Sequence, residues 1–125
     1  MKNIIIAERA PAAIGPYSQA TEKNGIVFVS GQLPINAASG IMAPPDIKAQ
    51  TEQSLMNIEI ILAKAGLTME NVMKTTVLMT DLSKFGEMNE VYAKFFRKSP
   101  PARAAYQVAA LPKGAMVEIE AIAMR

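Results

Sequence analysis

The chain has 125 residues, half of them apolar, with 13 basic and 11 acidic side chains and a net charge of +2. That length predicts a single domain over 1–125, burying about two thirds of its unfolded surface without disulfide or metal staples. Cysteine and histidine are both absent, which excludes disulfides, thiolate nucleophiles, Ser-His-Asp and Cys-His catalysis, imidazole bases and nearly all zinc sites.

The predicted elements run as follows. Asn3 to Ala7 reads as a short strand. Its Ile4-Ile5-Ile6 run, cut off by Glu8 and Arg9, is too short for a signal-peptide core, and no stretch approaches a membrane span. No membrane partner is expected, and a cytoplasmic location is the default. A Pro-rich turn from Ala10 to Pro16 leads to Tyr17. Gly25 to Gly31 is a strand bounded by glycines and apolar at consecutive positions, and Pro34 to Pro45 is a loop. Asp46 caps a helix whose apolar positions, Ile47, Leu55, Ile58, Ile61, Leu62 and Ala65, fall mostly three or four apart. Gly66-Leu67 ends it with a left-handed residue and a trailing apolar contact. Val72 to Thr80, β-branched with period two, is a strand. Ser83 caps a second helix with Phe85, Met88, Val91, Tyr92 and Phe95 on one face, and Pro100-Pro101 stops it. Two last strands, Arg103 to Ala110 and Met116 to Met124, are joined through Leu-Pro-Lys-Gly.

The order β, β, α, β, α, β, β implies an α+β fold with two helices on one face of a mixed sheet. Residues 26–29 are apolar on both sides of their strand, so both sheet faces require cover. Two helices cover one. A copy of the chain is expected on the other, which makes oligomerisation a physical expectation.

Arg103 opens a predicted strand among Ala102, Ala104 and Ala105, where its fork has room to grip a carboxylate; spacing alone favours a plain surface arginine. Glu118 and Glu120 share one face of the last strand, with Val117, Ile119 and Ala121 on the other. The pair can supply a general base or meet a hard cation, and a solvated strand face fits the pattern equally well. No third clustered ligand is evident, so no metal is expected. Tyr17, Ser30, Gly31 and Asn89 are polar or small groups at element ends, each explicable as structural. Lys94, Arg97 and Lys98, beside Phe95 and Phe96, offer an RNA-binding patch. The plainer reading, cations at a helix C-terminus and phenylalanines in the core, is preferred.

Taken together these residues resemble the RidA/YjgF family nearly end to end. The likeness runs through Ala10-Pro-Ala-Ala-Ile-Gly-Pro-Tyr-Ser-Gln19, Val29-Ser-Gly-Gln-Leu-Pro34, Lys74-Thr-Thr-Val77 with Asp81-Leu82, and Met88-Asn89 with Tyr92 and Phe95-Phe96. Its most specific part is Pro101-Ala-Arg103 followed, after Leu111-Pro112, by Val117-Glu-Ile-Glu120.

The resemblance implies a chorismate-mutase-like α+β fold and a homotrimer with a site in each cleft between subunits. It also implies hydrolytic deamination of 2-iminopropanoate, 2-iminobutanoate and their enamine tautomers to 2-oxo acids and ammonia, with no cofactor. By resemblance, Arg103 binds the substrate carboxylate and Glu118 positions water. Tyr17, Ser30, Gly31, Asn89 and Ala105 fall at other family site positions. Many members carry cysteine where Ala105 stands; the family's use of the main chain there leaves activity intact. Such chemistry suits a chain without histidine, because a protonated imine is already electrophilic at carbon. The competing classes are an RNA-cleaving translation inhibitor and a non-catalytic trimer that binds small carboxylates or acts as a chaperone. Arg103 among apolar residues, with the remaining charge near balance, argues against a nucleic-acid partner.

Overall fold

A computed structural model describes residues 1–125 of the chain. Helix α1 (Ile47–Lys64) begins where the Asp46 carboxylate accepts the Ala49 N–H at 2.9 Å. It ends where Gly66 takes a φ of +76°. There the Leu67 N–H donates to Leu62 O and the Gly66 N–H to Ala63 O, while the Leu67 side chain is buried. Both expected caps are therefore present.

The strands are β1 (Asn3–Ile5), β2 (Ala20–Lys23), β3 (Ile26–Gln32), β4 (Val72–Met79), β5 (Ala102–Gln107) and β6 (Val117–Met124), with helix α2 (Phe85–Phe95) between β4 and β5. They form one sheet in the order β1-β2-β3-β6-β4-β5. The β4–α2–β5 crossover makes the single parallel pair, and every other pairing is antiparallel. The expected α+β architecture is present, with both helices against one sheet face.

Three local expectations need correction. Strand β2 was not foreseen, because Ala20-Thr21-Glu22-Lys23 lacks an apolar run. It pairs with β3 across Asn24-Gly25, whose φ angles of 52° and 79° close the hairpin. Ser83 is not the cap of α2. Asp81 accepts the Ser83 N–H, starting a short 3₁₀ turn at Leu82–Lys84, and α2 follows at Phe85 without a side-chain cap. Strand β5 stops at Gln107 rather than Ala110.

Between sheet and helices lie Val27, Val29, Val77, Met79, Val117 and Ile119 on one side, and Leu55, Ile58, Ile61, Leu62 and Met88 on the other. Buried amides fasten the loops to this core. Gln50 accepts the Met116 N–H and donates to Ala43 O; Asn57 donates to the carbonyls of Leu33 and Ile35. Phe96 is buried and Phe95 packs against the core, while Arg97 donates to Lys94 O at the end of α2. The basic cluster is thus at a helix end, as the plainer reading has it.

The opposite sheet face is open. Phe28 is 53 % exposed and Tyr106 56 %, and in register with them stand the half-buried Ile122 and Leu78. The alternation along β3 divides cleanly: Val27 and Val29 enter the core while Ile26 and Phe28 face outward.

The two aspartate turns predict a contrast. Asp46→Ala should lower unfolding free energy by about 1 kcal/mol, whereas Ser83→Ala should change it by less than about 0.5 kcal/mol. Urea denaturation of both variants at matched protein concentration checks this. Equal losses would contradict the cap assignment.

Candidate functional site

Arg103 lies on β5, an edge strand, and its side chain points to the helix layer. Its Nη1 donates to Asn89 Oδ1 at 2.7 Å. Its guanidinium carbon lies 4.8 Å from the centre of the Tyr92 ring and 5.1 Å from that of Phe85, both within cation–π range. The chain contains two ion pairs, Lys48–Glu90 and Arg125–Glu22, and Arg103 joins neither. Ala102 and Ala104, read from the sequence as its small neighbours, point to the opposite face, so its surroundings are aromatic instead. Ala105, two residues on and on the same face, joins Arg103, Leu82 and Phe85 around an open cavity of about 510 Å³. The Leu82 N–H donates to Gln107 Oε1 at 2.9 Å, which pins that cavity's rim to β5.

Glu118 and Glu120 lie on β6 and point to the open face, with Val117, Ile119 and Ala121 buried beneath. A bulge sets Ser30 and Gly31 together opposite Glu120, because Val29 pairs with Ala121 and Gln32 with Ile119. Glu118 packs onto Gly31, where a Cβ would collide with its carboxylate. Any side chain at 31 would have to displace that carboxylate. Burial, with the charge of Glu120 second, pushes the Glu118 carboxyl above the ordinary carboxylate range. Ser30 is fixed by donating its hydroxyl to Ser18 O at 2.6 Å and its N–H to Gln19 O at 2.9 Å. Gln19 in turn holds Ala7, Ala10 and Pro11 through its buried amide. Tyr17, exposed, belongs to this anchored segment. A groove of about 300 Å³ runs over Ser18, Phe28, Ser30, Glu120 and Ile122.

The candidate residues fall into two clusters. Arg103, Asn89 and Ala105 meet on the helix side, and Ser30, Gly31 and Glu118 meet on the open side with Tyr17 close in sequence. The two clusters do not meet within one chain. Glu118 is in register with Leu78 and Tyr106, and Arg103 with Thr75 and Ala121. Arg103 thus lies two strands and about 10 Å of strand length away, facing the other way.

Phe85 and Tyr92 were read only as core-facing residues of α2. The missed signal is the stripe Phe85, Asn89, Tyr92 at i, i+4 and i+7, which turns one helix face toward a single guanidinium. On the open side, Gly31→Ala should displace the Glu118 carboxylate. The expected result is a folded protein of unchanged mass with at least about tenfold lower turnover, the scale of a modest misplacement of a reacting group. Wild-type turnover would show that the close approach is dispensable.

Comparison with known proteins places the chain among relatives over its whole length. A family model described as Endoribonuclease L-PSP matches residues 7–125. The 2-iminobutanoate/2-iminopropanoate deaminase of Bos taurus is 50 % identical over 125 residues, covering 100 % of this chain and 91 % of that protein. A Rid-family protein of Yersinia pestis superposes with a TM-score of 0.97 at 46 % identity, covering 100 % of both chains. E. coli TdcF, crystallised with serine bound, superposes with a TM-score of 0.94 at 44 % identity over 98 % of each chain. No helix of this chain is long and apolar enough to cross a membrane. Identity of this order along the full length, with the same fold, means that the chain belongs to the RidA/YjgF family.

Proposed function

We propose that this protein is a cytoplasmic deaminase that hydrolyses 2-iminopropanoate and 2-iminobutanoate to 2-oxo acids and ammonia, in sites completed between the subunits of a homotrimer. The observation that carries the reading is Arg103. Its guanidinium is held in place by Asn89 at 2.7 Å yet has no carboxylate partner. Such a group is arranged to receive an anion from outside the chain. The naming of the Bos taurus relative and the serine bound to TdcF, itself an α-amino carboxylate, support the same substrate class.

In the mechanism that follows, the substrate carboxylate takes the free Nε and Nη2 edge of Arg103, since Nη1 already serves Asn89. Glu118 of a neighbouring subunit, with Tyr17, Ser30 and Gly31 around it, faces C2. The Glu118 carboxylate removes a proton from water as its oxygen bonds to C2 of the protonated imine. The carboxylic acid then returns that proton to nitrogen; as the C–N bond breaks, the Glu118 carboxylate takes the proton of the new hydroxyl, C2 becomes the carbonyl of the 2-oxo acid, and the departing ammonia carries that proton away as ammonium. Main-chain groups near Ala105, on an edge strand whose outer row has no partner strand, hold the nitrogen end. The imine is its own electrophile, so the steps draw on side chains and main-chain groups of the protein itself.

The RNA-cleaving reading draws on the description of the family model, but it needs several phosphate-binding cations; Arg97 is engaged at a helix end, and Arg103 is the one cation among Leu82, Phe85 and Ala105 around its cavity. A carboxylate-binding trimer without turnover needs the same cleft and differs only in rate.

The test follows imine decay behind a threonine dehydratase. Arg103→Ala should lower kcat/KM roughly 10²–10⁴-fold, the loss of two charge-assisted hydrogen bonds, and Arg103→Lys should not restore it, lacking the planar fork. Glu118→Gln should lower kcat roughly 10²–10⁴-fold while still binding 2-oxobutanoate. Because the base form is required and its pKa is raised, turnover should fall with decreasing pH at a higher pH than an ordinary carboxylate would give. Glu120→Gln removes the neighbouring charge and should move that fall to lower pH. Wild-type rates in the Arg103 variants would end the proposal, and wild-type turnover in Glu118→Gln would remove Glu118 as the base.

A further inference from the structure

Thr75 of β4 stands beside Arg103 of β5 in the parallel register. Both side chains reach the helix layer, where Thr75 Oγ1 lies 2.7 Å from the Tyr92 hydroxyl in a buried hydrogen bond. The ring of that tyrosine is the one 4.8 Å from the Arg103 guanidinium. The contacts close a circuit: backbone pairing from Arg103 to Thr75, hydroxyl contact from Thr75 to Tyr92, ring face from Tyr92 back to the guanidinium. Phe96 supports the ring from the side, with centroids 4.6 Å apart.

We propose that Thr75 and Tyr92 are positioning residues, which hold the Arg103 guanidinium in its anion-receiving pose without touching the substrate. The inference rests on the reading of Arg103 as the carboxylate receptor. Arginine is a long, rotamer-rich side chain, and a fork held in one pose loses less freedom when a carboxylate arrives. Asn89 fixes one nitrogen of the fork; a ring face under the group fixes its plane. The ring can do so only if it is itself fixed, and the Thr75 hydroxyl anchors its far end. Burial pushes the Tyr92 hydroxyl pKa up, so the phenol stays neutral and leaves the arginine charge unspent.

The experiment titrates 2-oxobutanoate into the wild type and variants by calorimetry, and measures imine hydrolysis and thermal unfolding on the same samples. Thr75→Val and Tyr92→Phe should each weaken 2-oxobutanoate binding and raise KM by roughly 5- to 30-fold, bounded by the rotamer freedom of an arginine. The smaller part of the effect should fall on kcat. Thr75→Ser, which keeps the hydroxyl, should restore both. The double variant Thr75→Val/Tyr92→Phe should bind no more weakly than the weaker single one, because both break one hydrogen bond. A merely structural pair would lower the Tm without moving KM, and that result would overturn the proposal. Should Thr75→Val not fold, Tyr92→Phe decides alone, since its ring still fills the site. Lost binding in Arg103→Ala with wild-type binding in Tyr92→Phe would overturn this inference only. Retained binding in Arg103→Ala would overturn the receptor reading beneath it.

Discussion

Successive residues of a strand point to opposite faces of its sheet, and the function proposed here depends on that rule. Arg103 and Glu118 belong to strands two apart in the same sheet, yet one faces the helices and the other faces away. A catalytic arginine and glutamate within reach of each other in one chain would form an ion pair. In this chain they are kept on opposite faces, so the guanidinium keeps its free edge and burial holds the Glu118 carboxyl above the ordinary carboxylate range. The sheet separates the two groups within one chain, and only a second copy can bring an arginine to a glutamate.

The same rule leaves one sheet face uncovered. With both helices on one face, the other presents Phe28, Tyr106, Ile122 and Leu78 around the Glu118 cluster. Apolar side chains grouped on one sheet face call for a cover. In the proposed assembly a second copy lies against this face with its Arg103-bearing edge toward the bulge at Ser30-Gly31. Burial of apolar surface and completion of the site would then be one event, with the association free energy holding two preformed halves in register.

Much of this was legible in the sequence where the signal is local. Asp46 before an apolar stripe and Gly66-Leu67 after it are stereochemical stop and start signs, and both act as read. Strand β2 was not legible from hydropathy, since Ala20 to Lys23 is only partly buried. The Asn24-Gly25 pair beside it was the available clue, because that pair favours the φ angles of a tight hairpin. Ser83 looked like a cap because it stands just before the apolar stripe; it lies instead within the 3₁₀ turn begun by Asp81, and α2 starts one residue later than a Ser83 cap would have it.

For the site, the motif placed Arg103 and Glu118 on strands, and the alternation of large and small residues gave the face of Glu118. It gave no face for Arg103, because Ala102-Arg-Ala-Ala105 is small on both sides. Nor does a sequence distinguish an aromatic face that fills a core from one that cradles a cation. Phe85 and Tyr92 have the same spacing in either role, and only the packing of α2 over β5 separates the two.

The central claim is that one site draws Arg103 and Glu118 from different chains, and complementation tests it most directly. Arg103→Ala and Glu118→Gln chains, each inactive alone, would be unfolded, mixed in equal amounts and refolded, and imine hydrolysis measured. In a closed ring of subunits about one quarter of the interfaces would join an intact arginine to an intact glutamate, restoring about a quarter of wild-type turnover. If each site lay within one chain, every chain in the mixture would carry a lesion. Activity that stayed at the level of the separate variants, in a mixture shown to have exchanged subunits, would contradict the account.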